Sequence, residues 1–201
     1  MIFGHDNLRL AVLAAVLLLA PPVRAERDVA SGEWSLPALM AKLSETRSGN
    51  ASFVERRFLQ LVGTPLQSSG VLRYTAPDRL EKQTMLPRPA RLTMVADRIT
   101  IERENEATQT ISLRDYPEIS ALVEGLRATM AGDLSTLERN YLLTLEGNAG
   151  DWSLRLQPKS ERARRLVREI RIAGQGGLLV RIVTEESDGD RSEMAIAPEG
   201  P

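Results

Sequence analysis

The sequence contains no cysteine and one histidine, His5. Without cysteine there is no disulfide, no thiol nucleophile and no thiolate ligand. Without a histidine beyond His5 the rest of the chain also lacks the commonest general base and the usual ligand of transition metals. Aromatic residues make up 4% of the chain, so inward-facing positions must be filled by Leu, Ile, Val and Met. Acidic and basic residues number 27 and 26, for a net charge of −1. A chain so balanced lacks the basic footprint of a nucleic-acid binder. There is no phosphate-binding loop, no G-x-S-x-G elbow and no metal-spaced ligand set. Gly174–Gly177 lies between two strand-like runs and reads as a hairpin turn. Strand parity gives no pair of carboxylates facing one cleft. The expectation is a protein that is not an enzyme and uses neither cofactor nor metal.

One long apolar run is present. Leu8–Ala20 is apolar except for Arg9, and Val23-Arg24-Ala25 then places small residues where a signal peptidase reads. The run is shorter than the roughly 20 residues that span a bilayer. Residues 1–25 therefore read as a cleaved secretory signal peptide. With no cysteine behind it, lipid modification of the bacterial lipoprotein kind is excluded. Residues 26–201 are expected to form a single exported, periplasmic domain.

The remaining pattern is mostly strand. Ser35 can cap a first helix with Pro37 in its first turn, and Leu36, Leu39, Met40 and Leu43 make one apolar stripe ending near Ser48-Gly49. About eleven short runs with period-two alternation follow. They are Phe53–Leu61, Gly70–Thr75, Arg79–Met85, Arg91–Val95, Arg98–Arg103 and Thr108–Leu113, then Tyr141–Glu146, Trp152–Gln157, Leu166–Ile172, Leu178–Thr184 and Arg191–Ile196. The first is imperfect, because Glu55 and Arg57 share parity with Phe53 and Leu59. A bulge or a partly wet interior would each account for that. Between the two sets, Ile119, Leu122, Val123, Leu126 and Met130 fall at helical spacing over 117–130, stopped by Gly132-Asp133, and Asp133 can cap a shorter helix over Leu134–Arg139. Pro158–Arg165 is a polar, basic connection, and Arg162-Ala163-Arg164-Arg165 within it reads as a solvated loop, with docking on an acidic partner or anionic lipid headgroups as the alternative.

Short strands joined by tight turns imply an antiparallel meander, and a long meander hides its edges by curling towards a barrel. Met40, Met85, Met94 and Met130 are all expected to face inward, and methionine suits surfaces that accept varied apolar ligands. A barrel of this many strands tends to enclose a ligand space.

At this point the chain resembles a known family. Ala51-Ser52-Phe53 followed by Glu55, Gly70-Val71-Leu72-Arg73-Tyr74 running into Pro77, and a helical insertion over 117–139 before the last strands are similar to the LolA-type outer-membrane lipoprotein carriers, in particular a shorter LolA-related branch. The resemblance implies a mainly β fold, an unclosed antiparallel barrel of about eleven strands with a helical lid. It also implies a periplasmic carrier that shields the acyl chains of a lipoprotein or envelope lipid on the way to the outer membrane. Its partners would be an inner-membrane donor and an outer-membrane acceptor, and the carrier would be a monomer. A lipid- or lipoprotein-sensing module on the same fold is the alternative. The residues expected to form the cavity and lid are Met40, Leu43, Phe53, Leu72, Tyr74, Leu92, Met94, Ile99, Ile101, Leu122, Leu126 and Met130, and Gly125 is expected to keep the lid only marginally stable. Two features depart from the main carriers. Their lid-latching arginine just before this proline is Ala76 here, with Arg73 and Arg79 the nearby arginines available to replace it. They also continue past the final meander, where this chain stops at Pro201.

Overall fold

The computed structural model describes residues 34–199. The proposed signal peptide lies outside the described residues.

The first helix, α1 (Leu36–Ser44), starts where Ser35 accepts a hydrogen bond from the Ala38 amide at 3.4 Å, and it buries Leu39, Met40 and Leu43. It stops short of the expected end, because the chain is already extended at Ser48. Strand β1 runs Ser48–Phe58, some residues earlier than the apolar alternation indicates. Its weak strand formers Ser48-Gly49-Asn50 are held by pairing with Thr75, Tyr74 and Arg73, so tertiary pairing overrides local preference.

Five more strands follow as hairpins: β2 (Leu66–Thr75), β3 (Arg79–Leu86), β4 (Ala90–Val95), β5 (Arg98–Arg103) and β6 (Gln109–Ser112). A 3-10 turn over Leu113–Asp115 leads into α2 (Pro117–Ala131). Helix α2 opens on a proline, whose missing N–H is no loss at that position, and closes on Gly132 in the left-handed conformation, φ +70°. Asp133 then caps α3 (Leu134–Asn140), its carboxylate accepting from the Thr136 amide at 3.0 Å and the Thr136 hydroxyl at 2.6 Å. Those bonds hold the Asp133 pKa below the usual carboxylate value. The second set of strands is β7 (Tyr141–Asn148), β8 (Asp151–Pro158), β9 (Val167–Gln175), β10 (Leu178–Glu186) and β11 (Arg191–Pro198), with a short helix α4 (Glu161–Arg164) in the basic connection.

All eleven strands form one antiparallel sheet in the order β6-β5-β4-β3-β2-β1-β11-β10-β9-β8-β7. The sheet is mainly hairpins in sequence, joined in the middle by β1 against β11, and it is not closed. Its free edges are β6 and β7, and the segment linking those two edges is α2–α3. The chain therefore has to carry its helices from one edge of the sheet to the other.

The core has two clusters. The larger gathers Leu39, Met40 and Leu43 of α1 with Leu137, Tyr141, Trp152, Leu154, Leu156 and Ile172. The smaller holds Met94, Ile99 and Leu113, with Ile119 and Val123 of α2 packed on it. Helix α2 thus contributes to both.

Candidate functional site: an aliphatic cavity under the helices

Strand register sets what faces inward. Gly49, Tyr74, Leu80, Met94 and Ile99 lie in one row across β1–β5, and Ala51, Leu72, Lys82, Leu92 and Ile101 lie in the next. The first four residues of each row floor a cavity of about 320 Å³ that takes lining residues from both core clusters. The volume is near the lower end of the roughly 300–1,000 Å³ of small-molecule sites.

Seven of the residues singled out from the sequence line this cavity. Leu72, Tyr74, Leu92 and Met94 come from the sheet, Leu43 from α1, and Leu126 and Met130 from α2. The other five do not. Met40 is buried in the larger cluster, and Leu122 packs against that cluster. Ile99 is buried in the smaller cluster with Ile101 packed on it. Phe53 is 2% exposed, and the Lys82 ammonium lies over its ring at 5.0 Å from the centroid. Met85, also expected inward, is exposed near the β3–β4 turn. Leu80, Leu179, Ile182, Met194 and Ile196 line the cavity as well. Alternation placed them on strands, but period two alone does not say which of two faces is the inner one. Leu80 was the findable one, since it opposes Tyr74 across the hairpin turn.

The inner face is not uniformly apolar. Strand β1 keeps its register with both neighbours through Glu55, so the polar residue on its inner parity marks a wet region rather than a bulge. The Glu55 carboxylate accepts from Lys82 Nζ at 2.5 Å, Ser192 Oγ at 2.9 Å and Ser68 Oγ at 3.3 Å. Burial pushes its pKa up, but the hydrogen bond and charge of Lys82, with the two hydroxyls, outweigh that and lower it overall. Lys82 itself lines the cavity.

The cover is held at its rim. In α2, Arg127 donates to the Ala96 carbonyl at 3.3 Å and pairs with Glu124 at 2.5 Å. The Ala96 amide donates to Asp78 at 3.2 Å, and Leu113 N donates to the Asp97 carbonyl at 2.7 Å. One turn, Ala96-Asp97, thus collects the β2–β3 turn, the 3-10 turn and α2. Arg73 and Arg79 do not take over a latch from Ala76. Both pair with Glu81, at 3.0 and 3.5 Å. The helix-to-sheet bond runs the other way, from an arginine on the helix to a carbonyl on the sheet.

Gly125 also differs from expectation. It is buried, and a Cβ there would stand 2.5 Å from the Tyr141 hydroxyl oxygen. The glycine lets α2 approach Tyr141 closely and is not a weak point of the helix. Burial, with the nearby Glu124 charge, pushes the Tyr141 pKa up to about 12.

Among solved structures the chain is similar to a LolA superfamily protein from Nitrosomonas europaea (11% identity, TM-score 0.45, covering 81% of this chain and 91% of that one). It is also similar to a DUF1329 family protein from Desulfovibrio piger (10%, TM-score 0.43, 81% and 88%). A third similarity is to a chain of the Pseudomonas aeruginosa MucA/MucB complex (16%, TM-score 0.43, 82% and 57%). At such identities and TM-scores these likenesses carry no functional argument. No curated protein matches the chain. The family described as outer membrane lipoprotein carrier protein LolA-like matches residues 31–198, and the chain belongs to that family.

Proposed function

We propose that the protein is a periplasmic carrier that shields acyl chains of a lipoprotein or envelope lipid between an inner-membrane donor and an outer-membrane acceptor. The observation that carries this reading is the aliphatic cavity of about 320 Å³ between the sheet and α2. Moving an acyl chain into water loses about 0.8 kcal/mol per CH₂, so a long chain does not cross an aqueous compartment unaided. The walls offered by Leu72, Leu92, Leu126 and Met130 resemble a bilayer interior in polarity. Handover between two such environments is close to balanced and needs no nucleotide hydrolysis by the carrier. Among the described residues no helix is long and apolar enough to cross a membrane.

The direct test is native mass spectrometry of the protein purified from its own periplasm. A copurifying acylated species is expected, and it would name the cargo. Leu126→Arg sets a charge in the cavity, where an unpaired ion is strongly disfavoured. It should abolish uptake of a fluorescent acyl probe while far-UV circular dichroism stays unchanged. Undiminished uptake by that variant would remove the cavity from the mechanism. A stable protein that never carries lipid would point to the sensing module instead.

A further inference from the structure

Of the charged residues that line the cavity, Arg73 and Glu81 pair with each other at 3.0 Å, whereas Lys82 pairs with Glu55, which does not line it. Lys82 sits in the row Ala51, Leu72, Lys82, Leu92, and Glu55 sits four residues beyond Ala51 on β1, opposite Ser68. By register the residue midway between them is Gly70, on β2. With no side chain at Gly70, the lysine stem can cross the sheet surface, pass over the Phe53 ring and reach Glu55. Both charges are withdrawn from solvent, with side-chain exposures of 27% for Lys82 and 14% for Glu55. The pair is therefore built into the interior and is not a surface ion pair.

An ammonium has three donors. Lys82 gives one to Glu55, and its other described interaction is with the Phe53 ring. Two N–H groups remain beside the Phe53 ring, on a side chain that also lines the aliphatic cavity. Glu55 already accepts three bonds, close to the roughly four that a carboxylate can take. The local charge is zero. A guest anion at Lys82 would have to displace Glu55 or lie beside it, leaving one buried carboxylate without its counter-ion. A neutral acceptor meets no such penalty, because it takes a free N–H and leaves the pair intact.

We propose that Lys82, held by Glu55, is a polar subsite for the neutral carbonyl of an ester-linked acyl chain, and that it selects esterified cargo over free fatty-acid anions. The inference rests on the carrier reading and names the chemistry of its cargo.

The test compares two lipids of the same acyl chain, monooleoylglycerol and oleate, by displacement of the neutral apolar dye N-phenyl-1-naphthylamine from the wild-type protein. Mildly alkaline pH keeps the free acid ionised. The ester is expected to bind about tenfold tighter, a difference of ~1.4 kcal/mol. Glu55→Gln leaves Lys82 unneutralised and should invert the preference in favour of oleate. Lys82→Met should bring the two lipids to similar affinity. Oleate binding wild type as tightly as the ester, or a preference unaltered in Glu55→Gln, overturns the subsite and leaves the carrier reading standing. No displacement by either lipid overturns the carrier reading itself, and the subsite falls with it.

Discussion

At the scale of single residues, Gly125 shows how a local rule and a tertiary contact give opposite predictions. In an isolated helix, alanine is better than glycine by about 1 kcal/mol. Here the added methyl group would meet the Tyr141 hydroxyl at 2.5 Å and ring atoms at 2.7 and 2.8 Å. Tyr141 cannot retreat easily, being 2% exposed within the larger core cluster. Overpacking of this kind costs roughly 1–3 kcal/mol, which exceeds the propensity gain. Gly125→Ala is therefore expected to lower stability in urea denaturation by about 1 kcal/mol net or slightly more. A variant more stable than wild type would refute close approach as the reason for this glycine. The same residue scale explains Glu55. Its place on an inward parity was visible in the sequence, but its partners were not, because Ser192 is 137 positions away.

At the scale of elements, the cover is defined by what ties it down. The Arg127 bond to the Ala96 carbonyl is exposed and single, and exposed pairs of this kind contribute little to global stability, typically below ~1 kcal/mol. Its effect should be local. Arg127→Ala is expected to raise amide hydrogen exchange in α2 and around Ala96 severalfold, while the denaturation midpoint barely moves. Equal exchange in variant and wild type would show that core packing, and not this tie, holds the helix. The existence and order of the elements were legible, since period-two and period-3.6 patterns differ clearly over these lengths. Ser35, Gly132 and Asp133 marked helix ends correctly through capping chemistry. The start of β1 was not legible, because Ser48-Gly49-Asn50 are strand only through their partner. The Arg127 tie was not legible either, because no periodicity pairs a helix residue with the Ala96 carbonyl.

At the scale of the whole molecule, the cavity follows from two clusters that do not merge. Leu154, Leu156 and Ile172 fill one side of the sheet's interior, and Met94, Ile99 and Leu113 fill the other. The space between them is lined by Leu72, Leu126 and Met194. No window of sequence contains that gap, since it depends on β1 lying against β11. The inner rows could be listed once the register was known, but the register across the centre joins the two ends of the described chain. Ala51 faces Pro198 and Phe53 faces Ile196.

That central pairing has a kinetic consequence. All the other strand neighbours are consecutive in sequence, so each meander can assemble by closing short loops. Only β1–β11 demands closure of nearly the whole domain, and such distant contacts are what slow folding. Ile196→Val, a change that removes up to about 1 kcal/mol at a half-buried position of the seam, tests this. In stopped-flow refolding it is expected to act mainly on the unfolding rate, because the seam should zip after the halves have formed. If it instead slows refolding in full proportion, the seam is the nucleus. In the expected case, newly made chain would pass through a stage with two finished half-sheets and an unsealed middle, and the time spent there would be set by β1 finding β11.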